Sequence, residues 1–224
     1  MKPAIRNTLL AAMLAVASAG AFAAESADLT VSGTIRPSAC SIQLTNGGVA
    51  DYGTVSAVTL NETAGTHIGT RNVGFTISCD AATRVGFTTT DNRAGTMGES
   101  ARAAAGIGGS QMVGLGAVDG RSIGAYDIVI WSGSIRGDGE QPVVIYSQNA
   151  GASWTLTGIE SGAYIQPGIR TTSWARQGNS TPDAFTTLSG NLAINTYINA
   201  KRDLPSFTGG LSVDGSLTLQ LQYL

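Results

Sequence analysis

Cys40, Cys79 and His67 are the residues of this chain with the widest chemical repertoire, and all are scarce. The 224 residues hold two cysteines and one histidine. Such a set can serve as metal ligands, as a thiol nucleophile with its base, or as a disulfide. A metal site needs more ligands than one histidine can complete. His67, in "NETAGTHIGT", reads as a loop residue, and no G-x-S-x-G elbow accompanies it, so a Ser-His-Asp triad has nothing specific behind it. Asp51, Asp80, Asp91 and Asp127 are scattered near predicted strand ends and read as solvated turn carboxylates rather than an acid–base pair. "GIGGSQMVGLG" is rich in glycine, yet it neither follows a strand nor opens a helix, so phosphate binding is unsupported. Arg136-Gly137-Asp138 spells an adhesion tripeptide, but in a Gly/Asp turn it reads as coincidence. Trp131, Trp154 and Trp174 could line a sugar-binding face; two lie on predicted strands, where packing is the default. No catalytic residue, metal or cofactor is expected.

Compartment decides how the cysteines read. "MKPAIRN" carries Lys2 and Arg6, an apolar small-residue run follows, and Ala21-Phe22-Ala23 fits the small-x-small cleavage rule. Residues 1–23 are thus predicted to be a signal peptide, with Ala24 the mature start. The apolar run, about 16 residues, falls short of the ~20 a spanning helix needs. In an oxidising compartment the two cysteines pair. The bridge closes a loop of about 40 residues, for which the chain-entropy estimate is roughly 4 kcal/mol.

Composition narrows the partners. Charged residues make up 12%, hydrophobic residues 42%, and the formal net charge is −2. That is too apolar for disorder, and with no basic stripe nucleic acid is not an expected partner.

The elements that position these residues are predicted to be strands. "DLTVSGTI", "RNVGFTISC", "RVGFTTT", "AYDIVIW", "PVVIYS" and "GNLAINTYI" are short apolar or alternating runs. The turn signals "TNGG", "TDNRAG", "GDGEQP", "QNAG" and "GNSTPD" separate them. "GESARAAAG" alone suggests one or two helical turns, inside a glycine-rich stretch from Gly95 to Gly124 that reads as a surface elaboration. The final "DGSLTLQLQYL" puts Leu217, Leu219, Leu221 and Tyr223 on one face, with Thr218 and Gln220 on the other. An all-β sandwich in one domain is the expectation.

"GTIRPSAC" at 33–40, with Cys79 closing "VGFTISC", resembles the opening of chaperone–usher pilus subunits. The ending "GSLTLQLQYL", with Tyr223 second from last, resembles a pilin C-terminus. "ADLTVSGTIRPSACSIQLTNGGVADYG", "CDAATRVGFTTTDNRAG" and "VGLGAVDGRSIGAYDI" are more closely similar to a family of secreted, fimbrial-like bacterial proteins. The resemblance covers most of the mature chain; 132–189 is its least telling part. It implies an immunoglobulin-like, pilin-type β-sandwich over 33–224 that supplies six strands and lacks the last. It also implies that the disulfide ties the first strand to the end of the second.

The implied function is that of a structural or pilus-associated subunit assembled by donor-strand exchange. Leu217, Leu219, Leu221 and Tyr223 would border an apolar groove. In the periplasm a pilus chaperone would fill it; after passage through an outer-membrane usher, a neighbouring subunit would, at the cell surface. Residues 24–32 form a short extension whose inward parity offers Leu29 and Val31 as donor residues, with Glu25 off pattern. At ~3.3 Å per residue it reaches about 30 Å, one strand at most. The glycosylation sequons at Asn61 and Asn179 are discounted in a chain of bacterial character. A stand-alone secreted module, for carbohydrate or surface adhesion, is the alternative. An outer-membrane barrel is disfavoured, because aromatic residues are only 6%.

Overall fold

The computed structural model describes residues 27–34, 39–158, 160 and 162–224. The chain divides into two units, Met1–Arg36 and Pro37–Leu224. The predicted signal peptide lies outside the described residues. In the first unit, 27–34 form no strand, and Leu29 and Val31 are 91% and 90% exposed. The alternation in "DLTVSGTI" predicted one; a strand is held by ladder hydrogen bonds, and 27–34 have no ladder partner among the described residues.

The second unit is all-β, as its alternating segments require. Its strands are β1 Cys40–Leu44, β2 Thr66–Thr83, β3 Val85–Asp91, β4 Met112–Gly114, β5 Ala117–Val118, β6 Arg121–Ser122 and β7 Gly124–Trp131. They continue with β8 Arg136–Gly137, β9 Val143–Ser147, β10 Thr155–Leu156, β11 Gly162–Tyr164, β12 Thr171–Ala175, β13 Phe185–Ile198 and β14 Leu217–Tyr223. One sheet runs β1-β2-β13-β7-β11, with β4 added to β7 and β8 to β13; the other runs β10-β9-β12-β3-β14. A two-stranded hairpin, β5-β6, stands apart. The resemblance implied six strands; the fold has more because short pieces such as β4, β8, β10 and β11 extend the ladders. Among the described residues no helix is long and apolar enough to cross a membrane.

Period-two patterning builds the core. In β2, Val73, Phe75, Ile77 and Cys79 are buried while Asn72, Thr76 and Ser78 face solvent. β2 pairs with β13 from Thr66 opposite Ile198 to Thr83 opposite Phe185, and this long ladder is the spine of the first sheet. Trp174 is fully buried between Phe75 and Phe87, with ring centroids 5.7 and 5.8 Å away. Burying each such side chain stabilises the fold by roughly 1.5–3 kcal/mol.

The glycine-rich stretch is not only a surface elaboration. Val113, Leu115 and Ile123 belong to the main core. The short helix α1, Glu99–Ala105, lies where "GESARAAAG" predicts it. It seats the buried Ala101 on Met112 and Ala125 of the first sheet's outer face. Gly98 lets the helix start there, since a Cβ would meet the Asn199 amide at about 2.1 Å. Gly106, at φ 68°, ends it in the left-handed conformation that glycine adopts without strain.

Candidate functional site

Cys40 and Cys79 are disulfide-bonded. They are also register partners across β1 and β2, so the bridge ties an edge strand to its neighbour. The predicted first strand, "DLTVSGTI", lay ahead of Cys40; the observed β1 begins at Cys40. Beyond Cys40 the segment CSIQL alternates Cys40, Ile42 and Leu44 toward the core, and all three pack against it.

β1 and β14 end their respective sheets on the same side of the sandwich. Between them lies an apolar groove with a cavity of about 310 Å³. Leu44 and Val49 form one lip, Leu217 and Leu219 of β14 the other, and Val73, Ile128 and Leu192 lie at the floor. β14 pairs only with β3, from Leu217 opposite Asp91 to Tyr223 opposite Val85. Its other edge carries no ladder partner among the described residues. Leu221, opposite Phe87, packs against the core rather than lining the cavity. Tyr223 is 57% exposed, and its hydroxyl accepts a hydrogen bond from Cys40 N at 2.8 Å. That bond joins the two edge strands at one end of the groove. Thr218 faces outward and accepts from the Asn92 amide at 3.0 Å.

The polar rim is set by the loop after β1. Tyr52 donates its hydroxyl to Ile194 O at 2.7 Å, and burial raises its pKa despite help from Thr196 and Arg71. The Arg71 guanidinium sits over the Tyr52 ring, 4.9 Å from its centre, and Nε donates to Asp51 O at 2.9 Å. Tyr126, also against the cavity, has its pKa raised by burial. Among the described residues that line the cavity, Tyr52 and Tyr126 are the titratable ones and there is no carboxylate, histidine or basic side chain, so its chemistry is apolar burial beside two strand edges.

The chemically suggestive residues lie elsewhere. His67 is not in a loop: it lies in β2 with its ring 4.8 Å from that of Tyr197. Asp127 is not solvated: it is 2% exposed in β7 and accepts from the Asn195 amide at 2.8 Å. Burial raises its pKa, partly offset by that bond and by His67. Period two explains the miss: the neighbours Tyr126 and Ile128 face the sandwich core, so Asp127 points to the sheet's other face. That face reads as solvent in a two-layer fold, but here α1 packs on part of it, against Met112 and Ala125 beside Asp127.

Asp51 and Asp91 fulfil turn roles, accepting from Gly53 N and Arg93 N, each at 2.7 Å. Asp80 accepts from Ala39 N at 3.4 Å. The Arg-Gly-Asp stretch is structural. Both Asp138 oxygens accept from Thr186 N and Thr187 N, at 2.9 and 2.8 Å, and Arg136 donates to Ile135 O and Gly133 O. Asn61 accepts from Thr63 N and Ala64 N, an Asx turn. Of the tryptophans, Trp174 is core, Trp154 covers Val143, Ile145 and Ala175, and only Trp131 is about half exposed, at 48%.

Fold and groove define a class: a disulfide-tied, all-β, two-sheet protein with an open lateral edge. Residues 29–127 match the family described as "Protein of unknown function (DUF1120)". The chain is similar to Protein GltF of Escherichia coli strain K12, 30% identical over an alignment of 255 positions that spans 100% of this chain and 99% of that protein. It is also similar to Uncharacterized protein YhcF of the same organism, 33% identical over 165 positions covering 67% of this chain and 68% of that protein. The chain belongs to this family.

Proposed function

We propose that this protein is an exported structural or pilus-associated subunit, held in its assembly by a strand from another chain. The observation that carries the reading is the groove: the edges of β1 and β14, without a ladder partner among the described residues, flank an apolar cavity lined by Leu217 and Leu219. A strand laid there would pair its backbone with an open edge and bury alternate side chains. A long apolar edge is otherwise an aggregation hazard. The occupants are a periplasmic chaperone before assembly and the Leu29–Val31 segment of a neighbouring subunit after it, with an usher carrying the exchange at the outer membrane. Leu29 and Val31 have the required spacing of two and are exposed. The role is mechanical, and no reaction or cofactor is assigned to the chain.

Co-expression with a chaperone of the chaperone–usher class tests this. A 1:1 complex on size exclusion that Leu219→Asp weakens and Thr218→Asp retains is expected. A mature chain that stays monomeric, unfolds cooperatively and responds neither to chaperone nor to a Leu29–Val31 peptide overturns it. That outcome would favour a self-closed binding module, a reading supported by the Tyr223–Cys40 bond, which closes part of the edge within one chain.

A further inference from the structure

Between the turn Lys201–Asp203 and β14 runs a strap, Pro205–Ser216, that belongs to neither sheet. Phe207 and Leu211 pack against the main core, while Val213 and Gly215 line the same cavity as Leu217. The strap is therefore the end wall of the groove. We propose that it is a displaceable cover that competes with an incoming strand for the groove, held by a latch between Arg93 and Asp214. The proposal rests on the strand-accepting reading above.

Three observations support displacement. First, among the described residues, the strap is tied by hydrogen bonds only near its C-terminal end. Asp214 N donates to Leu115 O at 3.2 Å, and Asn92 N donates to Ser216 O at 3.0 Å. A segment with few such bonds opens at lower cost than the sheets around it. Second, the latch is compact and solvated. Arg93 Nη2 lies 2.5 Å from Asp214 Oδ2, and Nε donates to Asp214 O at 3.0 Å. The two side chains are 36% and 62% exposed, so the ion pair is weak enough to break reversibly. Third, Gly209 and Gly210 sit mid-strap where glycine is not needed for room. A Cβ on either would meet no atom within 4 Å, and neither has a positive φ. What glycine supplies there is low backbone stiffness, the property of a hinge.

Lifting the strap would uncover the core surface now under Phe207 and Leu211. The groove would then continue past Leu217. Seated strap and inserted strand thus bury overlapping apolar surface, and weakening one favours the other.

Two measurements on the full mature chain test this: the rate of chymotryptic cleavage after Phe207, and the affinity for a peptide of residues 27–34. Arg93→Gln should raise the cleavage rate and tighten peptide binding, each by about fivefold or more. The double variant Gly209→Ala/Gly210→Ala, which fits without strain, should slow both cleavage and peptide association. Unchanged cleavage in Arg93→Gln overturns the latch. Faster cleavage with unchanged peptide affinity overturns the competition. Peptide binding by no form, with cleavage altered as expected, overturns the strand-accepting reading and the competition with it.

Discussion

The two lateral sides of the sandwich are built differently. On one side, the closed one, the sheets end in β10 and β11, which follow one another in the chain. Thr157, just past β10, is fastened to β9, its N–H and hydroxyl both donating to Val144 O, at 3.1 and 2.7 Å. On the other side β1 and β14 lie about as far apart in sequence as the unit allows, and among the described residues a side-chain hydrogen bond, Cys40 N to the Tyr223 hydroxyl, links the two strands. The strands there are five and seven residues with alternate apolar side chains, whereas those at the closed side are two and three residues. The two sides thus differ in strand length and sequence separation: short strands consecutive in the chain end one side, and longer strands from opposite ends of the unit leave an apolar row half covered on the other.

Three tests bear on this contrast, the largest effect first, and a further one lies outside it. Replacing both cysteines with alanine removes the tie between β1 and β2. A loss of roughly 2–5 kcal/mol in denaturant unfolding is expected, because the bridge closes a long loop in the unfolded chain. A loss under about 1 kcal/mol would mean that β1 is held by its ladder alone.

Next is a pair of aspartates. Leu219→Asp, at the open side, should weaken binding of chaperone or peptide about tenfold to a hundredfold, the equivalent of losing one buried aliphatic side chain of roughly 1.5–3 kcal/mol. Leu156→Asp, 46% exposed at the closed side, should leave that binding unchanged. Equal effects in titrations of the two variants would erase the difference between the sides.

Third, Tyr223→Phe deletes the hydroxyl that accepts from Cys40 N. About 0.5–1.5 kcal/mol of stability should be lost by thermal unfolding, with the groove end loosened. No change would show that this bond does not help close the edge.

The smallest effect concerns a site remote from both sides. Burial raises the pKa of Asp127 above the ordinary carboxylate value, so between the unfolded and folded pKa values the folded state holds a proton that the unfolded state has released. Stability from this group is present below the unfolded carboxylate pKa and is lost as pH rises through the folded one. Asp127→Asn should flatten that part of a stability–pH curve, and an unaltered slope would show that Asp127 titrates normally. His67→Ala, by contrast, should leave assembly unchanged and cost only the ring contact with Tyr197, about 0.5–1.5 kcal/mol.

Much of this architecture is written locally. Alternation in "VGFTISC", "RVGFTTT" and "GSLTLQLQYL" specified β2, β3 and β14 and their buried faces, because side chains two apart on a strand share one environment. "TNGG" gave the turn after β1, where Asn46 and Gly47 both take positive φ. Short strands such as β8, β10 and β11 were not legible, since two or three residues carry no period. Asp127 was misplaced because periodicity reports which residues share a face, not what lies over that face; His67 was misplaced because the Gly- and Thr-rich "NETAGTHIGT" reads locally as a turn, and pairing with the distant β13 makes it strand.

The all-β class and the apolar row of the last strand follow from composition and from spacing along one chain, and the pairing of the two cysteines from their being the chain's whole complement in an exported reading. Packing between distant segments puts β1 and β14 at the same side, and makes Leu217 and Leu219 face a cavity while Leu221 meets the core. It also decided that 205–216 walls the groove's end. Those outcomes depend on strand order, and strand order is set by the burial of distant segments against one another, which no local pattern encodes.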